Sequence, residues 1–135
     1  MAMTGRCYCG EVRYEADGKD VLFAQCHCRE CQYISGGGPN FFALMSTDQF
    51  RYTQGTAKQF ARSDLDNPRT RDFCPTCGTH LLTRLPGGER LVIKVGTLDD
   101  PAQLGTPQMA IFTLDMQPFH VIAEGVPCFE RRPPQ

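Results

Sequence analysis

Three cysteines, Cys26, Cys28 and Cys31, fall within six residues of one another. Thiols at this spacing cannot all pair as disulfides, because the backbone between them is too short for disulfide geometry. They can converge on one metal ion, and zinc prefers thiolate ligands in a tetrahedral arrangement. Three ligands from one segment leave a fourth position, and its occupant separates a structural zinc site from a catalytic one. We call these residues the cysteine triplet.

Several groups are candidates for the fourth position at the cysteine triplet. Cys128, His80 and His120 are distant candidates, and His27 is a local one. A protein ligand would close the site, whereas water or a substrate thiolate would leave it open to chemistry. The spacing favours neither arrangement. It does argue against an iron–sulfur cluster, since no fourth thiol lies at ferredoxin spacing.

Four other cysteines form two pairs, Cys7 with Cys9 and Cys74 with Cys77. In the second pair, a proline presets the turn after the first cysteine, and a glycine permits the positive φ that follows the second. Such a turn aims backbone N–H groups at the thiolates. The two pairs together predict a four-cysteine zinc site, which is coordinatively closed and therefore structural. It would clamp the N-terminal strand to the middle of the chain.

The elements that position these cysteines are predicted to be strands. Glycine and proline recur at roughly eight- to twelve-residue intervals, a spacing typical of all-β domains. The predicted strands cover residues 11–16, 21–24, 41–45, 50–53, 57–61, 81–84, 91–95, 110–112 and 120–122. The pattern indicates hairpins joining 50–53 to 57–61 and, around a Pro-Gly-Gly turn, 81–84 to 91–95. Helix is expected to be scarce, with at most one short turn at residues 29–34 and another at 47–50.

Length and composition predict a single zinc-binding domain over residues 1–135. The hydrophobic fraction of 41% argues against disorder. Eight cysteines without a signal-peptide pattern are expected to be thiols in a cytoplasmic protein. No apolar run approaches the roughly 18–20 residues that span a bilayer. The balance of 14 basic and 15 acidic residues argues against nucleic acid or an anionic membrane as a partner.

The motifs together resemble the glutathione-dependent formaldehyde-activating enzyme family, which also includes centromere protein V. The matching stretches are residues 7–14, 26–31, 71–79 and 96–101, in family order. The resemblance implies a tent-like arrangement of β-sheets and two zinc ions. By position, it implies a structural zinc on Cys7, Cys9, Cys74 and Cys77, and a catalytic zinc on Cys26, Cys28 and Cys31.

The family's named activity joins glutathione to formaldehyde and gives S-hydroxymethylglutathione. The resemblance therefore implies a zinc-dependent carbon–sulfur lyase that acts on a thiol adduct, with a small-molecule thiol such as glutathione as substrate. An open zinc site suits this chemistry, because the metal lowers the pKa of a bound thiol. The alternative is a non-catalytic, zinc-stabilised binding module for a protein or chromatin partner. The balanced charge disfavours nucleic acid in that role, since phosphate binding needs a basic face.

Overall fold

The computed structural model describes residues 2–134 and is mostly β, which confirms the predicted fold class. Within that range the strands are β1 (Ala2–Arg6), β2 (Arg13–Asp17), β3 (Leu22–Cys26), β4 (Asn40–Ser46), β5 (Phe50–Gln54), β6 (Lys58–Phe60), β7 (Thr70–Phe73), β8 (His80–Arg84), β9 (Arg90–Lys94) and β10 (Met109–Ile111). Helix α1 spans Arg29–Ser35. Short 3-10 turns cover Thr47–Gln49, Val95–Thr97, Pro101–Leu104 and Thr113–Asp115.

The strands of residues 2–134 form a small and a large sheet. The small sheet has the order β1-β2-β5, and the large one has the order β10-β3-β4-β9-β8-β7-β6. β10 runs parallel to β3, and the other pairs are antiparallel. Side chains from both sheets form the main core, among them Met3, Tyr14, Ala43, Leu82 and Ile93. Burying one such Leu or Ile side chain contributes about 1.5–3 kcal/mol to folding.

A buried carboxylate also joins the two sheets. Asp72 on β7 is 1% exposed and accepts hydrogen bonds of 3.1 and 3.0 Å from the Arg84 guanidinium. It accepts another, of 2.7 Å, from the hydroxyl of Tyr52 on β5 in the small sheet. An ionised carboxylate is tolerated inside a protein when it is paired and hydrogen-bonded in this way.

The other face of the large sheet carries the cysteine triplet. Alternate residues of a strand point to opposite faces, and residues opposite one another in an antiparallel pair share a face. Ala24, Phe42 and Lys94 lie opposite one another across β3, β4 and β9. Cys26, Phe42 and Val92 form a second apolar cluster, against which Cys28 and Cys31 pack. We call this surface the cysteine face.

One predicted hairpin and one predicted strand are wrong. Residues 50–53 and 57–61 do hold strands, but β5 pairs with β2 whereas β6 pairs with β7. Gly55, at φ 75°, packs so closely on the Glu11 carbonyl that a side chain there would collide with it, and the chain crosses between sheets. Residues 120–122 form no strand, because the His120 N–H closes a turn on the Gln117 carbonyl.

Other elements predicted from the sequence agree with the structure. The hairpin around the Pro-Gly-Gly turn is confirmed as β8 and β9. The helical turns predicted at 29–34 and 47–50 are confirmed as α1 and Thr47–Gln49. The limit of two turns is wrong, because three further 3-10 turns follow β9 and β10 among residues 2–134. Strands β1 and β7 were not predicted, because they have few large apolar residues. Their positions depend on neighbouring strands, since strand formation is set largely by context.

Candidate functional site: two cysteine clusters

The two cysteine pairs come together as predicted, although they are far apart in sequence. The sulfur atoms of Cys7, Cys9, Cys74 and Cys77 all lie within 4.8 Å of one another. The Sγ atoms of Cys7 and Cys9 are 3.6 Å apart, and those of Cys9 and Cys74 are 3.8 Å apart. A tetrahedron with Zn–S bonds of about 2.3 Å places its sulfurs about 3.8 Å apart. These four residues therefore have the spacing that a tetrahedral zinc ion requires.

Tight turns place these sulfurs. Gly10 N–H donates to the Cys7 carbonyl at 3.1 Å, and Gly78 N–H donates to the Cys74 carbonyl at 2.9 Å. The φ angles of the two glycines are 82° and 77°. Both values lie in the left-handed region, where glycine has no steric penalty. The positive φ predicted for the glycine after the second pair is confirmed.

Hydrogen-bond donors surround the sulfurs of this cluster. Val12 N–H points at Cys7 Sγ at 3.3 Å, and Thr76 N–H points at Cys74 Sγ at 3.4 Å. A hydrogen bond from the Thr79 hydroxyl lowers the pKa of the Cys77 thiol to about 5. Such donors stabilise thiolates, which are the form of cysteine that binds metal.

The cysteine triplet is built where β3 meets α1. Cys26 ends β3, Cys28 caps the helix and Cys31 lies in its first turn. Their sulfurs all lie within 4.8 Å of one another. Cys31 N–H donates to Cys28 Sγ at 3.3 Å. Hydrogen bonds from Cys26 and Cys31 lower the pKa of the Cys28 thiol to about 2, whereas hydrogen bonding to Cys28 raises that of Cys26. A metal cation could replace the protons of these thiols, because thiolate is the form of cysteine that binds metal.

The cysteine triplet has three converging ligands, and none of the proposed protein candidates makes a fourth. In the described part of the chain, no further Cys, His, Asp or Glu has a ligand atom within 4.8 Å of all three sulfurs. Exposed Cys128 donates to the Val126 carbonyl. His80 packs against Phe73. The donor set therefore fits zinc with one coordination position left over.

The two remaining histidine candidates are bonded to each other. His27 is fully buried, and its Nδ1 lies 2.9 Å from His120 Nδ1. Gln25 Nε2 donates to His27 Nε2 at 3.0 Å, so His27 carries its proton on Nδ1 and donates it to His120. His120 in turn donates from Nε2 to the Gly37 carbonyl at 2.7 Å. Burial lowers the pKa of His27, which favours the neutral ring that this chain of hydrogen bonds requires.

Two buried cations on the cysteine face were not identified in the sequence. Lys94 is 8% exposed, and burial lowers its pKa to about 8, while the charge of Cys31 acts in the opposite direction. Arg71 is 7% exposed, donates to the Thr83 hydroxyl at 3.0 Å and pairs with Glu30 on α1. The sequence does contain one indication that Lys94 is buried, because it lies within an otherwise apolar run at residues 91–95. These cations place positive charge beside thiolates that carry negative charge.

Comparisons with known proteins identify a matching family and a similar fold. A family model described as "Glutathione-dependent formaldehyde-activating enzyme" matches residues 2–115. A crystal structure of a Rhodobacter sphaeroides protein from a structural genomics programme aligns with 22% identity and a TM-score of 0.59, covering 78% of this chain and 97% of that one. At this identity the likeness concerns the fold. The comparison with curated proteins found no match. Across residues 2–134, no helix combines the length and apolarity needed to cross a membrane.

Proposed function

The chain belongs to the glutathione-dependent formaldehyde-activating enzyme family, and from this we propose that it is a zinc-dependent carbon–sulfur lyase acting at the cysteine triplet. Glutathione and formaldehyde are the first substrates to test, with S-hydroxymethylglutathione as the adduct. The observation that carries the proposal is the contrast between four converging sulfurs in one cluster and three in the other. The kinship with centromere protein V stays a prediction.

We assign a separate role to each cysteine cluster. Cys7, Cys9, Cys74 and Cys77 would hold a structural zinc ion, because four thiolates complete its coordination. The cysteine triplet would hold a catalytic one. Zinc held there supplies an open coordination position and lowers the pKa of a thiol that binds in it, so that the thiolate is available at neutral pH. We further propose that residues 1–135 act as one domain in a cytoplasmic protein.

The reaction joins a thiol to an aldehyde without any change of oxidation state. The substrate sulfur forms a bond to the carbonyl carbon, and the carbon–oxygen π bond breaks. The thiol proton ends on the oxygen, which becomes the hydroxyl of the adduct. The lyase direction reverses these changes and releases the aldehyde. The groups that matter are those that favour the thiolate and those that hold the developing charge on oxygen.

Residues of the cysteine face can favour the thiolate and can hold the charge that develops on the carbonyl oxygen. Lys94 lies opposite Phe42, and its positive charge acts on all three cysteines of the triplet. A buried ammonium group beside the site would hold the negative charge that develops on the carbonyl oxygen. The His27–His120 contact holds the segment between Cys26 and Cys28 in place. It would limit motion of the thiolates between binding and release.

The proposal is tested by the rate at which the adduct forms and breaks. Exchange between ¹³C-labelled formaldehyde and its glutathione adduct can be followed by NMR at equilibrium. We expect the protein to accelerate exchange and Cys28→Ser to abolish the acceleration. Cys128→Ser is the matched control, because Cys128 lies outside both clusters, and it should exchange at the parental rate. Equal rates for the parent and Cys28→Ser would favour the non-catalytic binding module instead.

A further inference from the structure

A groove of about 390 Å³ lies against helix α1, which contains Cys31 of the triplet. Arg29 and Glu30, which line it, stand between Cys28 and Cys31 in the sequence. Glu30 pairs with Arg71 of β7, so α1 forms one wall and the outer strands of the large sheet form the other. One wall of the groove therefore belongs to the helix that follows Cys28 and contains Cys31.

The strand register places the groove on the cysteine face. On β9, Val92 and Lys94 point to the same side. Val92 lies opposite Thr83, Thr83 lies opposite Arg71, and Arg71 lies opposite Phe60, which also lines the groove. A molecule with its sulfur at the triplet could thus extend across the sheet into the groove without leaving this face.

The groove has more positive charge than its own carboxylates balance. Four of its lining residues are arginines and one is a glutamate. Arg71 is paired with Glu30, Arg62 is held by Asp64, and Arg29 stacks over the Tyr33 ring at 5.1 Å. Arg69 is half-buried, and within residues 2–134 it makes no ion pair or side-chain hydrogen bond. A half-buried guanidinium without a partner favours an anion, and its planar fork matches a carboxylate.

Apart from these charged groups and His80, whose buried Nδ1 has no hydrogen-bond partner within residues 2–134, the lining of the groove is apolar. Tyr33 is 79% exposed, Phe60 is 57% exposed and Leu65 is 43% exposed, although all three are large hydrophobic side chains. They line the same groove as Arg69. Exposed apolar side chains grouped in a concave site with a few polar groups are typical of small-molecule binding.

We propose that this groove binds the body of the thiol substrate, and that the body is an apolar chain or ring ending in a carboxylate. Arg69 would hold the carboxylate, while Tyr33, Phe60 and Leu65 would cover the apolar part. The sulfur would then lie toward the triplet. The position of the sulfur rests on the proposed function, whereas the affinity of the groove for an apolar carboxylate does not.

The groove is tested first with a ligand that has no sulfur. Octanoate is titrated into the ¹⁵N-labelled full-length chain, with octanol as the uncharged comparison. We expect octanoate to shift amide signals around Arg69 and Phe60, and Arg69→Gln to weaken binding roughly tenfold, as expected for loss of a charged hydrogen bond. Arg51→Gln is the control, because Arg51 lies on β5 and pairs with Glu15 outside the groove. Phe60→Ser should also weaken octanoate. Matching thermal melts would show that the variants are folded.

The possible results distinguish failure of the groove proposal from failure of the proposed function. Failure of octanoate to bind, or equal affinity for the parent and Arg69→Gln, would overturn the groove proposal. So would tighter binding of glutathione than of 8-mercaptooctanoate through the same residues. Octanoate binding that depends on Arg69, with no effect of either 8-mercaptooctanoate or glutathione on the metal at the triplet, would uphold the groove and reject the proposed function. If glutathione and 8-mercaptooctanoate both change the metal spectrum but octanoate does not bind, the proposed function would stand and the groove proposal would fall.

Discussion

His27 Nδ1 lies 2.9 Å from His120 Nδ1, which joins the cysteine triplet to a segment 93 residues further along the chain. The contact is buried, and further hydrogen bonds to Gln25 and to the Gly37 carbonyl extend it at each end. His27 stands between two of the triplet cysteines, but both of its ring nitrogens are engaged in this network. Its role is therefore to fix the backbone that presents the sulfurs.

We expect His120→Ala to lower the stability of the protein by about 1–3 kcal/mol, because it leaves the buried N–H of His27 without an acceptor. It should also weaken cobalt binding at the triplet. Thermal unfolding and cobalt titration measure the two effects. Phe119→Ala changes a neighbouring side chain that is 70% exposed, and it should do little. A His120→Ala protein as stable as the parent would contradict a structural role for the contact.

The two cysteine clusters should respond differently to substitution. Cys74→Ser or Cys9→Ser should greatly reduce stability, because binding of a structural zinc ion is worth on the order of 10 kcal/mol in small zinc domains. A chain with its own core should lose less than that. Cys28→Ser should mainly reduce activity, and Cys128→Ser should leave both properties unchanged. Thermal melts with metal present decide between these cases, and equal destabilisation by all three cluster variants would make the triplet structural as well.

Lys94→Met should weaken metal binding at the triplet while the four-cysteine cluster keeps its affinity. Three thiolates and one divalent cation carry a net negative charge, and the ammonium of Lys94 offsets it from the same face. Changes around a metal site typically cost about 10–100-fold in affinity. Competition with a chromophoric chelator measures this loss. Lys58→Met, on exposed β6, is the control, and equal affinities for the two variants would remove Lys94 from the site.

Asp72→Ala should destabilise the packing of the two sheets. The carboxylate is 1% exposed and accepts hydrogen bonds from Arg84 and Tyr52. Removing one partner of a buried charged pair costs about 3–5 kcal/mol. Urea unfolding gives the size of the loss, and Asp64→Ala, at an exposed pair, provides the comparison. A loss no greater than that of Asp64→Ala would show that the network adds little stability.

The sequence predicted the two cysteine clusters well, because metal ligands supplied by short turns have recognisable local spacing. Cys9 and Cys74 could be matched across 65 residues because each pair supplies half of a tetrahedral site. The pairing of His27 with His120 could not be predicted in the same way. A histidine has no ligand spacing of its own when its partner is another side chain in a distant segment.

Charged residues on the cysteine face were equally hard to predict. Lys94 and Arg71 look like ordinary surface charges in the sequence, and only the strand register shows that both lie on a buried face. The same limit explains the error at Gly55. The sequence locates a turn there, but which sheet the next strand joins depends on packing against Glu11, a contact far away along the chain.

The most direct test of the open triplet is a thiol titration of the cobalt-substituted protein. With both clusters loaded, the four-cysteine cluster should contribute a constant spectrum, since its coordination is complete. We expect glutathione or 8-mercaptooctanoate to increase the thiolate-to-cobalt charge-transfer band to saturation, and Cys28→Ser to weaken this response. An unchanged spectrum at saturating thiol, with cobalt shown to occupy the triplet, would contradict an open site that accepts a substrate thiolate.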